Sequence, residues 1–285
     1  MRKLLILLSI AYSLAVNAEI HYEKSFEGDF FLYIPDDTPK HILVIAHGML
    51  SKGDKGSDVA KAYLNRWKQY ADKYGLLLVA PVFDTSRFGN LGGGYGGYRN
   101  LFGKHLSADV FVNRIVSRYA VRTSSGSQRF YLYGHSAGGQ FVNRYIVTHP
   151  NRVLKAVVSA AGRYSYPEPS INWPYGAGGL SKTLRWKDGT RTRVNIGNQL
   201  KNYALAAKKV SVVVGDKDIK IQPKRPAHLG NTRIDLAKSW AYQMNLNASR
   251  YGINGRVDVH IIPGIGHDSK KLTPYCAQVL FSELR

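Results

Sequence analysis

The stretch from Arg129 to Val147 allows few folds. An apolar, aromatic run, Phe130-Tyr-Leu-Tyr133, breaks into Gly134-His135-Ser136-Ala137-Gly138 and then into Gln140-Phe-Val-Asn-Arg-Tyr-Ile-Val147. The first part reads as a short buried strand and the last as an amphipathic helix. A serine at the tip of a tight strand-to-helix turn sits in strained backbone. Its neighbours two residues to either side must be tiny for the turn to close. Such a turn exposes the Ser136 hydroxyl at the head of a helix whose first N–H groups lack partners. G-x-S-x-G alone is a common pentapeptide, and a bland small-residue turn is its plain alternative. Here both the strand and the helix that the chemistry needs are present.

A serine hydroxyl is a weak nucleophile until a histidine takes its proton, and that imidazole needs a carboxylate to hold its tautomer. Downstream, Ile261-Ile-Pro-Gly264-Ile-Gly266-His267 places a histidine on a glycine-flanked loop after an apolar run. His149 precedes Pro150, His228 lies in a polar stretch and His260 falls inside a strand pattern, so His267 is the candidate base. Val212-Val-Val-Gly215-Asp216-Lys-Asp218 offers two carboxylates at one strand end. Spacing alone leaves Asp216 and Asp218 both open as the acid, with Asp beside Gly also a good turn-former. A developing oxyanion needs two donors fixed in advance. Ala137 N–H is one candidate. His47-Gly48-Met49, directly after an apolar run, supplies Met49 N–H as the other, and His47 itself reads as a supporting residue.

Strand and helix signals alternate along the chain. Ile20 to Phe26 and Asp29 to Ile34 read as an antiparallel hairpin around Glu27-Gly28. His41 to Ala46, Leu76 to Pro81, Val153 to Ala161, Val210 to Val214 and Val257 to Pro263 read as further strands. Val59 to Tyr74 and Ala108 to Tyr119 carry helical spacing. Strands separated by helices imply an α/β domain with a mostly parallel, twisted sheet of about eight strands and helices on both faces.

Two segments break this rhythm. Leu91 to Arg99 is rich in Gly and Tyr, and Gly92, Gly94 and Gly97 match G-x-G-x-x-G literally. No strand precedes it and no helix follows, so a dinucleotide site is not expected. A loop beside the cleft is, with Tyr95 and Tyr98 as candidate walls. The other segment, Arg163 to Leu200, is too long and too rich in Gly, Pro and aromatics for an ordinary connection. It is the candidate lid or substrate-shaping insertion, with Trp173 and Tyr175 as candidate substrate contacts and His135 beside Ser136 as another. The alternative is an aromatic-packed surface loop.

Residues 1–18 carry Arg2-Lys3, the apolar run Leu4 to Ile10 and small residues at Val16-Asn17-Ala18. This is the pattern of a secretory signal cut after Ala18, leaving a single domain over 19–285. The apolar run is shorter than the roughly 18 residues that a membrane span needs. A secreted or periplasmic location is the expectation, with no transmembrane anchor after cleavage. The formal net charge of +21 suits an anionic surface such as lipopolysaccharide, acidic polysaccharide, nucleic acid or membrane. The alternative is a basic surface that only water solvates. No nucleic-acid-binding motif accompanies the charge. Cys276 is the single cysteine, so no internal disulfide forms and it reads as a packed apolar residue. No metal-ligand spacing appears, and neither a metal nor an organic cofactor is expected.

Four motifs in order, His47-Gly48, Gly134-His-Ser136-Ala-Gly138-Gly139-Gln140, Gly215-Asp-Lys-Asp218 and Gly264-Ile-Gly-His267, resemble those of the α/β-hydrolases. Within that fold the chain is similar to the esterases grouped with polyhydroxybutyrate depolymerases and feruloyl esterases. The resemblance covers essentially all of the chain after residue 18. It implies the order serine, acid, histidine, and an acid spaced as G-x-x-D, which selects Asp218. It implies a serine esterase acting on small or polymeric esters through Ser136, Asp218 and His267, with Met49 and Ala137 as oxyanion donors. The alternatives are a serine peptidase on the same fold and a catalytically silent, basic surface-binding protein.

Overall fold

The computed structural model describes residues 18–89, 96–101, 107–178, 181–185, 191–195, 199–221 and 229–284, the two short stretches 181–185 and 191–195 as backbone only. The N-terminal segment through residue 17, Tyr95, Trp186 and His228 lie outside the described residues.

The chain opens with β1 (Ile20–Glu23), β2 (Phe30–Tyr33) and β3 (His41–Ala46), then α1 (Gly56–Asn65), α2 (Lys68–Tyr74), β4 (Leu76–Pro81) and α3 (Thr85–Phe88). A 3-10 turn at Gly97–Asn100 leads to α4 (Ala108–Tyr119), β5 (Phe130–His135), α5 (Ala137–Thr148) and β6 (Val153–Ser159). β7 (Ser181–Arg185) and β8 (Arg191–Asn195) precede α6 (Leu200–Ala207), β9 (Val210–Gly215), α7 (Arg233–Arg250), β10 (Asp258–Ile262) and α8 (Ser269–Leu280).

The eight-stranded sheet has the order β1-β2-β4-β3-β5-β6-β9-β10. β4, β3, β5, β6, β9 and β10 run parallel, and β2 alone is reversed between β1 and β4. The expected α/β architecture is therefore the observed one. The period of two along β3 sorts its side chains between the faces. Ile42, Val44 and Ala46 pack under α4 to α7, while Leu43 and Ile45 pack under α1, α2 and α8. Burial on both faces is why β3, β4, β5 and β9 are continuous apolar runs.

One expectation needs correction. The helical spacing over 59–74 suggests one helix, but the chain forms α1 and α2. At Arg66 and Trp67 the backbone tightens, with Trp67 N–H donating to Leu64 O, three residues back. That turn drives the wholly buried Trp67 ring onto Tyr133, with centroids 4.5 Å apart. Tertiary packing of one large aromatic outweighs the local period. The segment after β6, the candidate lid or substrate-shaping insertion, is partly packed. Tyr164, Tyr166, Trp173 and Ala177 are buried in the main core, and β7 and β8 form a separate antiparallel pair. Among the described residues no helix is long and apolar enough to cross a membrane.

Candidate active site

Ser136 connects β5 to α5 with φ 56° and ψ −111°, a left-handed conformation that costs a non-glycine residue roughly 1–3 kcal/mol. The strain persists because the surroundings allow nothing else. A Cβ on Gly138 would stand 2.1 Å from the carbonyl oxygen of Ala46, so only glycine lets the head of α5 press against the end of β3. The result is a serine hydroxyl at the carboxyl edge of the parallel strands, half-exposed, at the N-terminus of a twelve-residue helix.

The other groups arrive from neighbouring strand ends. β9 closes at Gly215, where a Cβ would lie 1.9 Å from Ile265 O. This close approach brings the loop after β9 against the loop after β10. Ser136 Oγ lies 3.0 Å from His267 Nε2, and His267 Nδ1 lies 2.7 Å from Asp218 Oδ2. The Asp218 side chain is 1% exposed and its second oxygen accepts from Arg233 Nη1 at 2.6 Å. Burial pushes the Asp218 carboxyl up, but the hydrogen bonds and charges of His267 and Arg233 outweigh it and hold the group below its usual range. Asp216 is exposed, and its backbone N–H donates to Ile262 O. Asp268 is spent on the first turn of α8, accepting from Lys270 and Lys271 N–H. Geometry thus separates the two carboxylates that spacing leaves open.

The turn after β3 is braced from beneath. His47 is wholly buried, with Nδ1 2.6 Å from Gly48 O and Nε2 accepting from Phe83 N–H at 3.1 Å. Burial pushes this imidazole down to about 4, so it is neutral, with the proton on Nδ1. Among the described residues neither Met49 N–H nor Ala137 N–H donates to another protein group. Met49 is exposed and Ala137 is the first residue of α5.

Three candidate substrate contacts have other places. Tyr98 is wholly buried, stacked 4.4 Å from Phe83, and donates to His47 O (2.8 Å) and Gly48 O (3.0 Å). It is a prop of the turn, not a cleft wall. Trp173 is 6% exposed, and its Nε1 donates to Asn100 O. His135 is buried, with Nδ1 3.1 Å from Ser159 Oγ and its ring 4.6 Å from that of His267. Burial first, then the charges of His267, Arg233 and Arg66, hold His135 well below the usual imidazole range, so it packs as a neutral ring against His267. The apolar core absorbs Tyr98 and Trp173, while His135 is buried against His267. Tyr175 is 40% exposed, with the Arg144 and Arg163 guanidinium groups 5.8 and 5.6 Å from its ring centroid. Tyr95 lies outside the described residues.

Residues that local sequence does not single out complete the scaffold. Asn143 on α5 donates to Arg163 O and accepts from Ser165 N–H. Arg144, wholly buried, donates to Pro174 O and Arg99 O, tying both irregular segments to α5. Arg233 opens α7 and carries no local motif that sets it apart from the other basic residues. Among the described residues no three His, Cys, Asp or Glu side chains converge as metal ligands would.

This sheet, with a serine on its central strand-to-helix turn and a histidine and an aspartate from later strand ends, defines an α/β-hydrolase. The chain belongs to the alpha/beta hydrolase fold family, whose model matches residues 43–194. Poly(aspartic acid) hydrolase-1 from Sphingomonas sp. KT-1 is similar in structure, with TM-score 0.71 and 19% identity over 93% of this chain and 98% of that one. The poly(3-hydroxybutyrate) depolymerase LpqC from Bordetella parapertussis gives TM-score 0.70 and 21% identity over 94% of this chain and 90% of that one. An S-formylglutathione hydrolase from Agrobacterium tumefaciens gives 0.54 and 14% over 93% of each. At these identities the likeness is one of fold. No curated protein matches the chain.

Proposed function

We propose that this protein is an exported serine hydrolase that cleaves carboxylic esters through an acyl-enzyme on Ser136. The observation that carries the reading is the unbroken line of contacts from Ser136 Oγ to His267 (3.0 Å) and from His267 to Asp218 (2.7 Å). Ser136 Oγ bonds to the ester carbonyl carbon as its proton passes to His267 Nε2. The resulting oxyanion accepts from Met49 and Ala137 N–H, an interaction that contributes on the order of 10²–10³ in rate per donor. Collapse breaks the bond to the leaving alcohol, which takes the proton from His267. Water then attacks the acyl carbon, gives a proton to His267, and releases the carboxylic acid as Ser136 regains its hydrogen. Asp218 keeps the His267 proton on Nδ1 and stabilises the transient imidazolium.

Export is supported by the Arg2-Lys3, Leu4 to Ile10 and Ala18 pattern. Substrate choice is assigned to Leu91 to Arg99 and to the 163–200 insertion, where Tyr175 offers an exposed ring. A second reading, cleavage of an amide in a polyanionic chain, uses the same groups. The net charge of +21 favours it.

Hydrolysis of p-nitrophenyl acetate and butyrate, with an aryl ester, a polyester and poly(aspartic acid) alongside, tests these readings. Purified protein is expected to turn over the esters and to take a fluorophosphonate label. Ser136→Ala should lose both, with kcat down by about 10⁶-fold. Turnover surviving Ser136→Ala refutes the mechanism. Cleavage of poly(aspartic acid) in preference to every ester selects the second reading.

A further inference from the structure

Asp218 has two oxygens, each with one strong partner. One receives the His267 Nδ1 proton at 2.7 Å and the other accepts from Arg233 Nη1 at 2.6 Å. The carboxylate side chain is 1% exposed and that of Arg233 is 12% exposed, so water does little to screen this pair. Resting on the serine-hydrolase reading, we infer that Arg233 is a positioning residue: it fixes the Asp218 carboxylate and offsets part of the charge that this carboxylate presents to His267.

Placement of Arg233 is stiff. It is the first residue of α7, after the N-cap Thr232, and a reciprocal pair of hydrogen bonds between Thr232 and Asp235 closes that end of the helix. Farther along α7, Trp240 is wholly buried and its Nε1 donates to Ser165 O at 2.8 Å. The guanidinium is therefore delivered from a helix anchored at both its start and its middle. Asp235, the nearest acid on the same helix, is occupied by the capping contacts with Asn231 and Thr232.

Two consequences follow for the chemistry. With Oδ1 taken, the carboxylate cannot rotate away from His267 without breaking a charge-assisted hydrogen bond. Arg233 also offsets part of the Asp218 charge, so its removal strengthens the pull of that carboxylate on the imidazolium formed during turnover. Among the described residues, the other groups facing this histidine are Ser136 and the neutral His135 ring, tilted against it with centroids 4.6 Å apart. Arg66 reaches Ser269 Oγ, the first residue of α8, and its charge is felt at His135. The buried Tyr164 also feels the charges of Asp218 and Arg233, and burial keeps its phenol protonated. Asp268 faces the α8 N–H groups. Of these, Arg233 alone holds the acid.

The test is the pH profile of kcat/KM for p-nitrophenyl butyrate and of the fluorophosphonate-labelling rate, in the full chain carrying Arg233→Met or Arg233→Lys. Arg233→Met should raise the acid limb by roughly one pH unit and lower the plateau by about tenfold. Arg233→Lys, which keeps the charge but not the fork, should restore the limb more than the plateau. Because Arg233→Met leaves a buried carboxylate half-paired, a second comparison guards against misfolding. Asp218→Asn removes the charge, and adding Arg233→Met to it should change kcat/KM by less than about threefold and leave the limb in place. An unmoved acid limb in Arg233→Met overturns the inference. So do losses that add independently in the double variant. Wild-type protein that neither labels nor turns over ester would sink the serine-hydrolase reading itself, a different outcome from either.

Discussion

Replacing Gly138 with alanine tests whether the oxyanion donors depend on the close approach of α5 to β3. Gly138 is the second residue of α5. An added Cβ would meet Ala46 O at 2.1 Å, Ala46 C at 2.7 Å and His47 O at 2.7 Å. All three are backbone atoms, so no side chain can swing aside. Reaching an ordinary contact of 3.4 Å requires a displacement of about 1.3 Å. That displacement opens the gap between the two proposed donors, since Ala137 rides on α5 and Met49 follows His47. Overpacking of this kind costs about 3 kcal/mol, at the upper end of its usual range because the obstacle is backbone. A misplacement of about 1 Å at reacting groups costs on the order of 10²-fold in kcat. The assay pairs urea unfolding with kcat for p-nitrophenyl butyrate. Gly252→Ala is the control: φ is +65° and nothing lies within 4 Å, so about 1 kcal/mol of backbone strain should appear with kcat unchanged. Wild-type kcat in Gly138→Ala, at a stability loss no larger than that of the control, would refute the reasoning.

Tyr98→Phe removes the hydroxyl that donates to both His47 O and Gly48 O in a fully buried setting. A loss of about 1–3 kcal/mol in urea unfolding is expected, with kcat falling more than KM rises; an unchanged kcat would dissociate Tyr98 from the turn. Asp218→Asn should lower kcat by on the order of 10⁴-fold while Asp216→Asn stays within about twofold, and the reverse order would reassign the acid. Stability should also fall as pH drops from 6.5 to about 4, the interval between the ordinary and the buried His47 imidazole. The unfolded chain takes up a proton there that the folded ring refuses, at a cost of about 3 kcal/mol that levels off below the lower value. Asp218, depressed in the folded state, contributes stability above the ordinary carboxylate range that is lost as pH falls through its folded value. Urea midpoints across this range, with His47→Gln expected to flatten the slope, check the sign.

Much of this protein is legible in its sequence because the relevant signals are local. Continuous apolar runs marked β3, β4 and β9, since strands covered on both faces have no polar side to show. The strained turn at Ser136 announced itself through Gly134 and Gly138, because steric closure is a property of adjacent residues. His267 stood out on its glycine-flanked loop for the same reason. What sequence left open depends on contacts between distant segments. Asp216 and Asp218 are told apart in sequence only by the G-x-x-D resemblance that selects Asp218, and it is the approach of the β9 and β10 loops that turns Asp218 inward to His267. Tyr98 and Trp173 have the composition of cleft residues, yet the core takes both and His135 packs buried against His267, because burying a large ring against other rings outweighs exposing it to a substrate. Arg233, one basic residue among many, acquires its place only when α7 delivers it to the far oxygen of a carboxylate from another loop. A nucleophile on a tight turn is written in neighbouring residues; the partners that tune it are assembled by the tertiary fold, since charge and hydrogen bonding act through space and not along the chain.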